Sequence, residues 1–239
     1  MYNKRFYRQW MGRDDLERYQ VKIAESDLLI LSDQNLFELA RKALVEVRHS
    51  IEGYIAQDRA FATSLKPMSV AANAPSVITR MSDAGRSWNV GPMASVAGAV
   101  AQAVGEQLAG QSRTVIVENG GDVYIKAPTP VSLALYAGES SPFTDKVMFK
   151  VEAKQGLGVC TSSGLVGPSL SFGKADAVVS IAEDAAFADA AATAIANRIQ
   201  CEDDVDKVVA EQEKQGRLLG LIACCGEKLG LWGDIELVP

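Results

Sequence analysis

The sequence predicts an α+β fold with largely antiparallel sheets and packed helices, and three observations carry this. Strand-like and helix-like runs do not alternate in the regular order of a doubly wound sheet. An Asn-Gly-Gly-Asp turn, Asn119 to Asp122, joins two β-rich runs directly, as an antiparallel hairpin requires. No GxGxxG opens a helix after the first strand and no P-loop motif occurs, so ordinary dinucleotide and P-loop folds are disfavoured.

In chain order, "FYRQW" and "RYQVKIAESDLLILSDQ" read as an opening antiparallel pair about a "GRDD" turn. In "NLFELARKALVEVRHSIEGYIAQ", Leu36, Ala40, Leu44, Val47, Ile51 and Tyr54 recur at helical spacing, with Ser32, Asp33 or Asn35 available as a cap. The turn-rich "LKPMSVAANAPS" follows. "GPMASVAGAVAQAVGEQLAG" then predicts a helix from about Ala94 to Leu108, whose Gly98 and alanines favour close backbone packing. "TVIVENGGDVYIK" reads as strand, turn and strand, because Gly120 and Gly121 supply the positive φ of a tight hairpin. "VSLALYAG", "KVMFKVEA" and "LGVCT" continue the strands, and "SSGLVGPSLSFGK" is a Gly/Ser loop. "ADAVVSIAED" is a strand running into the helix "FADAAATAIANR", with Asp184 placed as its N-cap. "EDDVDKVVAEQEKQG" reads as a surface helix. "RLLGLIACCGEKLGLWGDIELVP" reads as strands about a "GEK" turn, closing near Gly233 and Asp234.

At 239 residues, 48% of them hydrophobic, the chain is long enough for one large core or two small ones, and disorder is not the default. We expect one domain over 1–239. The net charge of −6 disfavours a nucleic-acid surface, although a divalent cation would still bridge a phosphate ligand. No apolar run reaches membrane-spanning length, so a cytoplasmic protein without a membrane partner is expected. Cys160, Cys201, Cys224 and Cys225 show no CxxC spacing and read as reduced core thiols. The single histidine, His49, falls between the apolar positions of its helix, so Ser/His or Cys/His nucleophile pairs and multi-histidine metal sites have almost no material here.

One segment asks for chemistry. "FADAAATAIANR" is nearly all small and apolar, yet Asp189 and Thr193 stand one helical turn apart and project toward the same point, where a cation would fit. The local alternative is that Thr193 bonds back to the Asp189 carbonyl while Asp189 favours a helix N-terminus.

Three stretches, in this order, resemble the ApbE-type family of FAD:protein FMN transferases: "GPMASVAGAVAQAVGEQLAG" with "TVIVENGGDVYIK", then "GVCTSSG", then "DAVVSIAEDAAFADAAATAIAN". The likeness covers roughly residues 90–200 and implies an ApbE-like, T-fold-like architecture. It implies that Asp189 and Thr193 bind Mg²⁺, with a carbonyl around Ala94 to Ala97, and that the metal holds the pyrophosphate of FAD. It implies further that backbone at Gly120 and Gly121, flanked by Asn119 and Asp122, approaches the flavin nucleotide, and that Thr161, Ser162, Ser163 and Gly164 supply hydroxyls and amides. An acceptor protein belongs to the same expectation, and a homo-oligomeric assembly is a separate one. The chain departs from the family where "LVGPSLSFGKADAVV" stands in place of a histidine-containing segment, and where the lysine of the Gly-rich helix start has no counterpart in "MASVAGAV". Asp176 and Lys174 are then the candidates for proton handling. A divergent branch that binds a nucleotide or another anionic small molecule without transfer, or a purely structural protein, is the alternative.

Overall fold

Residues along the central strands alternate between two hydrophobic cores, one on each face of a single sheet, as the two-residue period of a strand demands. The computed structural model describes residues 15–144, 146–164 and 172–238. In chain order the elements are β1 (Glu17–Ile23), β2 (Ser26–Ser32), α1 (Phe37–Gln57), the short α2 (Ala60–Thr63), α3 (Ser76–Trp88), a 3₁₀ turn (Pro92–Ser95) leading into α4 (Val96–Leu108), β3 (Val115–Asn119), β4 (Asp122–Lys126), β5 (Val131–Ala134), β6 (Met148–Val151), β7 (Leu157–Ser162), β8 (Ala177–Ala182), α5 (Ala185–Ala196), α6 (Asp203–Gln215), β9 (Gly220–Cys225), β10 (Lys228–Gly233) and β11 (Glu236–Val238).

Eight strands form one sheet in the order β1-β2-β3-β4-β7-β8-β9-β10, with every neighbouring pair antiparallel. A second antiparallel sheet, β11-β6-β5, covers one face through Val131, Leu133, Phe149 and Val151. The helices cover the other face, where Val115, Val117, Tyr124 and Cys160 meet α4 and α5. Because both faces are covered, β8 and β9 are buried at every position, and their sequences are apolar apart from Ser180. Phe149 is 2% exposed between the sheets, so truncating it to Ala would cost roughly 3–5 kcal/mol.

Helix α5 is the hub of the helical layer. It packs against β7, β8, α3 and α4 at once, and a helix enclosed on all sides is apolar all round. Its alanines let these neighbours approach closely. A Cβ at Gly98 of α4 would run into the Ala185 carbonyl, and one at Gly158 of β7 into the Ala185 backbone.

Several expectations need correction. "RYQVKIAESDLLILSDQ" is not one half of an opening pair: it folds on itself at Ala24 (φ 48°), pairing Ile23 with Ser26. The "FYRQW" run lies outside the described residues. The stretch after "LKPMSVAANAPS" holds a helix that hydropathy alone did not announce. In α3, Val77, Ile78, Met81, Ala84 and Trp88 form a buried stripe, but Arg80, Asp83, Arg86 and Ser87 dilute it in sequence. Of the proposed caps for α1, Asn35 receives the Phe37 N–H at 3.0 Å, whereas Asp33 binds the amides of Arg113 and Thr114. Cys160, Cys224 and Cys225 are buried, but Cys201 is exposed and is no core thiol. No helix among the described residues is long and apolar enough to cross a membrane.

Candidate functional site

The β3–β4 hairpin ends at Gly120 (φ 73°) and Gly121 (φ 104°), a turn that any side chain would strain. Groups on both sides of the sheet hold it. From below, the fully buried Glu118 accepts the Gly121 N–H at 2.9 Å. From above, the Asn119 side-chain amide donates to the Ala97 carbonyl at 3.1 Å, tying the turn to the first turn of α4. Asp122 follows on the helix-covered side and accepts the Thr161 N–H at 3.2 Å, which links the hairpin to the end of β7.

α5 delivers Asp189 to the same corner. Asp184 caps α5 by accepting the Phe187 N–H at 2.9 Å. Asp189, a turn and a half further on, caps a different helix. The N-cap position of α4, Ser95, makes no side-chain cap, and Asp189 instead accepts the Gly98 N–H at 2.9 Å across 91 residues of sequence. Half of the local alternative is therefore real: Asp189 serves a helix N-terminus, that of its neighbour. The other half is not. The Thr193 hydroxyl makes no hydrogen bond among the described residues, and Thr193 sits half-buried on the face that Asp189 begins.

The electrostatics of the corner are unbalanced. Burial pushes the Asp189 carboxyl up to about 7, against the pull of the Gly98 and Ala97 amides. Burial pushes Asp122 well above the usual carboxylate range, helped by the charges of Asp189 and Glu118 and opposed by the Thr161 amide and the Cys160 thiol. Cys160, fully buried, donates to the Ala185 carbonyl at 3.2 Å; burial and the two carboxylates push its thiol well up, which keeps it out of nucleophilic work. Two buried carboxyls thus lie near enough for their charges to oppose one another, and neither forms a salt bridge among the described residues. A divalent cation would relieve that pair.

The donor set fits magnesium. It offers hard oxygens, namely the two carboxylates, the Thr193 hydroxyl and the Ala97 carbonyl, and Mg²⁺ takes one or two carboxylates while keeping several waters. Among the described residues no group of three or more His, Cys, Asp or Glu side chains is placed to cage a metal.

The other expected positions divide. Thr161 and Ser162 end β7, and Ser163 and Gly164 lead away from it, with the Gly164 N–H donating to the Ala175 carbonyl at 2.9 Å. Asp176 turns its carboxylate to the β9–β10 turn, accepting the Gly226 N–H at 2.9 Å. Lys174 is exposed, and its amide bonds the Ile199 carbonyl at 2.7 Å. The "LVGPSLS" part of the divergent segment, 165–171, lies outside the described residues. Glu118 is not among the site residues expected from sequence, although an acid inside the apolar run "VIVEN", three residues before Gly121, is a signal for it; Cys160 is the buried thiol expected.

An antiparallel sheet with helices on one face, a Gly-Gly hairpin, and an aspartate that spans to a small-residue helix together define the ApbE-like class. The chain belongs to the AbpE bacteria family, whose model matches residues 8–223. It is 39% identical over 227 residues to a UPF0280 protein of Methanocaldococcus jannaschii, covering 92% of each chain, and 38% identical over 223 residues to one of Methanococcus maripaludis strain C5, covering 90% of each. Among solved structures it resembles the apo flavinyl transferase ApbE of Pseudomonas stutzeri, with a TM-score of 0.58 at 12% identity over 93% of this chain and 95% of that one. The flavin transferase ApbE of Vibrio cholerae gives a TM-score of 0.55 at 11% identity, covering 92% and 98%. At such identities the likeness is one of fold.

Proposed function

We propose that this protein binds a flavin nucleotide through magnesium at the Asp122–Asp189 corner, with FAD as the ligand, and that it acts as an FMN transferase on an acceptor protein. The observation that carries the reading is the buried carboxylate pair, one member of which is fixed on the α4 N-terminus by the Gly98 amide at 2.9 Å. Magnesium, when bound, supplies positive charge for the pyrophosphate. Asp189 and Thr193 would hold it, with the Ala97 carbonyl beside them. Asp189 is pre-positioned: the Gly98 bond fixes its carboxylate, so little side-chain freedom is lost on binding. Asn119 fixes the Ala97 carbonyl, and the absence of side chains at Gly120 and Gly121 leaves the turn open for backbone contact. Thr161, Ser162, Ser163 and Gly164 offer hydroxyls and amides along the β7 end.

A binding protein without transfer is the second reading, and a specific observation favours it. The only histidine stands exposed on α1, and the one thiol at the corner is held protonated. One experiment separates the readings. Purified protein is incubated with FAD, Mg²⁺ and a cell extract as acceptor source, with AMP measured by chromatography and FAD binding by calorimetry. Transfer predicts Mg²⁺-dependent AMP release that Asp189→Ala abolishes. Binding without AMP leaves the binding reading, and absence of both removes the flavin proposal.

A further inference from the structure

The N-terminal end of α5 borders a cleft of about 760 Å³ that Asp189 and Asp122 do not line, a volume typical of small-molecule sites. It runs along α3, between that helix, the β8–α5 turn and the loop from α6 to β9. Its distinctive side chain is Arg217. The guanidinium lies 4.3 Å from the centre of the Trp88 ring and 5.4 Å from that of Phe187, and donates to the Ser87 carbonyl at 2.8 Å. The aromatic pair fixes the plane of the group, and one hydrogen bond uses one of its five N–H donors.

Charge bookkeeping isolates it. The other arginine lining the cleft, Arg80, is neutralised by Glu106 at 3.1 Å and Asp184 at 3.2 Å, and the lining Asp83 is taken by Arg86. Arg217 has no carboxylate partner among the described residues, and the remaining acid, Glu183, is exposed. One further feature points the same way. α3 opens on the cleft at Ser76 with no side-chain cap and no acidic residue in its first turn, leaving the positive end of its dipole uncompensated.

We propose that this cleft is a second binding site, for a ligand carrying a carboxylate or phosphate oxyanion. Arg217 presents its free N–H edge to the oxyanion in the two-pronged geometry that guanidinium allows and ammonium does not. Phe187 and Leu219 offer apolar surface to the rest of the ligand. The site stands independently of the flavin reading, since neither Asp189 nor Asp122 lines it.

The test uses full-length protein in EDTA, with inorganic phosphate and citrate as probes, phosphate followed by ³¹P NMR line broadening and citrate by calorimetry. Saturable binding of at least one probe is expected, and which one binds identifies the oxyanion. Arg217→Gln weakens it at least tenfold, and Arg217→Lys gives an intermediate loss. Asp189→Asn binds the probe like the wild type. Arg217 is exposed, so its variants keep the fold, which circular dichroism verifies. No saturable binding of either probe, unchanged binding in Arg217→Gln, or a loss in Asp189→Asn instead, overturns the proposal.

Discussion

Asp184 and Asp189 sit on the same helix and do the same local job, since each accepts a backbone N–H at a helix N-terminus at 2.9 Å. Their surroundings differ. Asp184 is half-exposed, caps its own helix and pairs with Arg80 at 3.2 Å, so its charge is accounted for. Asp189 is 8% exposed, caps a neighbour, and lies near enough to the buried Asp122 for their charges to oppose one another. Capping is the whole explanation of the first residue and only part of the explanation of the second. The surplus charge distinguishes a site from a structural carboxylate.

The sharpest way to break this comparison is to remove the charges while keeping the shapes. Asp189→Asn should abolish Mg²⁺-dependent FAD binding, a loss of at least a hundredfold by calorimetry, whereas Asp184→Asn should leave it within about twofold; equal effects would erase the distinction.

Acidity should separate the two next. The folded-state pKa of Asp189, about 7, lies above its ordinary value of 3.8, so between these values the folded chain binds more protons than the unfolded one. Stability from this group is therefore lost as pH rises through that window, on the order of 1.4 kcal/mol per unit where the difference is full. Asp122 adds in the same direction. Without metal, urea unfolding should show a stability that falls from pH 5 to pH 7, and Asp189→Asn should flatten the slope. Asp184→Asn should not.

Gly98→Ala tests the contact that brings α5 and α4 together. A methyl there meets the Ala185 carbonyl and lies 2.9 Å from the Asp189 Cβ, so roughly 1–3 kcal/mol of stability should be lost along with FAD binding. The smallest effect is Asp184→Ala. Removing an N-cap costs about 1 kcal/mol, read as a lower urea midpoint at unchanged slope.

The legibility of the fold followed the same division between local and tertiary causes. The Gly120–Gly121 hairpin and the Asp184 cap were readable because each is fixed by neighbours in sequence. Asp189 and Thr193 stood out as polar groups in an apolar helix, but nothing local disclosed that Asp189 reaches α4, because the Gly98 partner lies 91 residues away. α3 escaped because its buried stripe is narrow and its outer face strongly charged. The Arg217 cleft is not legible because its parts come from α3, α5 and the loop before β9 and meet only in the fold.

The difference between the two residues is that the ionised form of Asp189 has no cationic partner among the described residues, whereas Asp184 has Arg80. It is tested most directly by the Mg²⁺-induced thermal shift at pH 8 in the wild type, Asp189→Asn and Asp184→Asn, repeated at pH 5. The account predicts that Mg²⁺ raises the melting temperature of the wild type and of Asp184→Asn at pH 8, does so less at pH 5 where protons compete, and leaves Asp189→Asn unmoved. An equal shift in Asp189→Asn, or none in the wild type at pH 8, would contradict it.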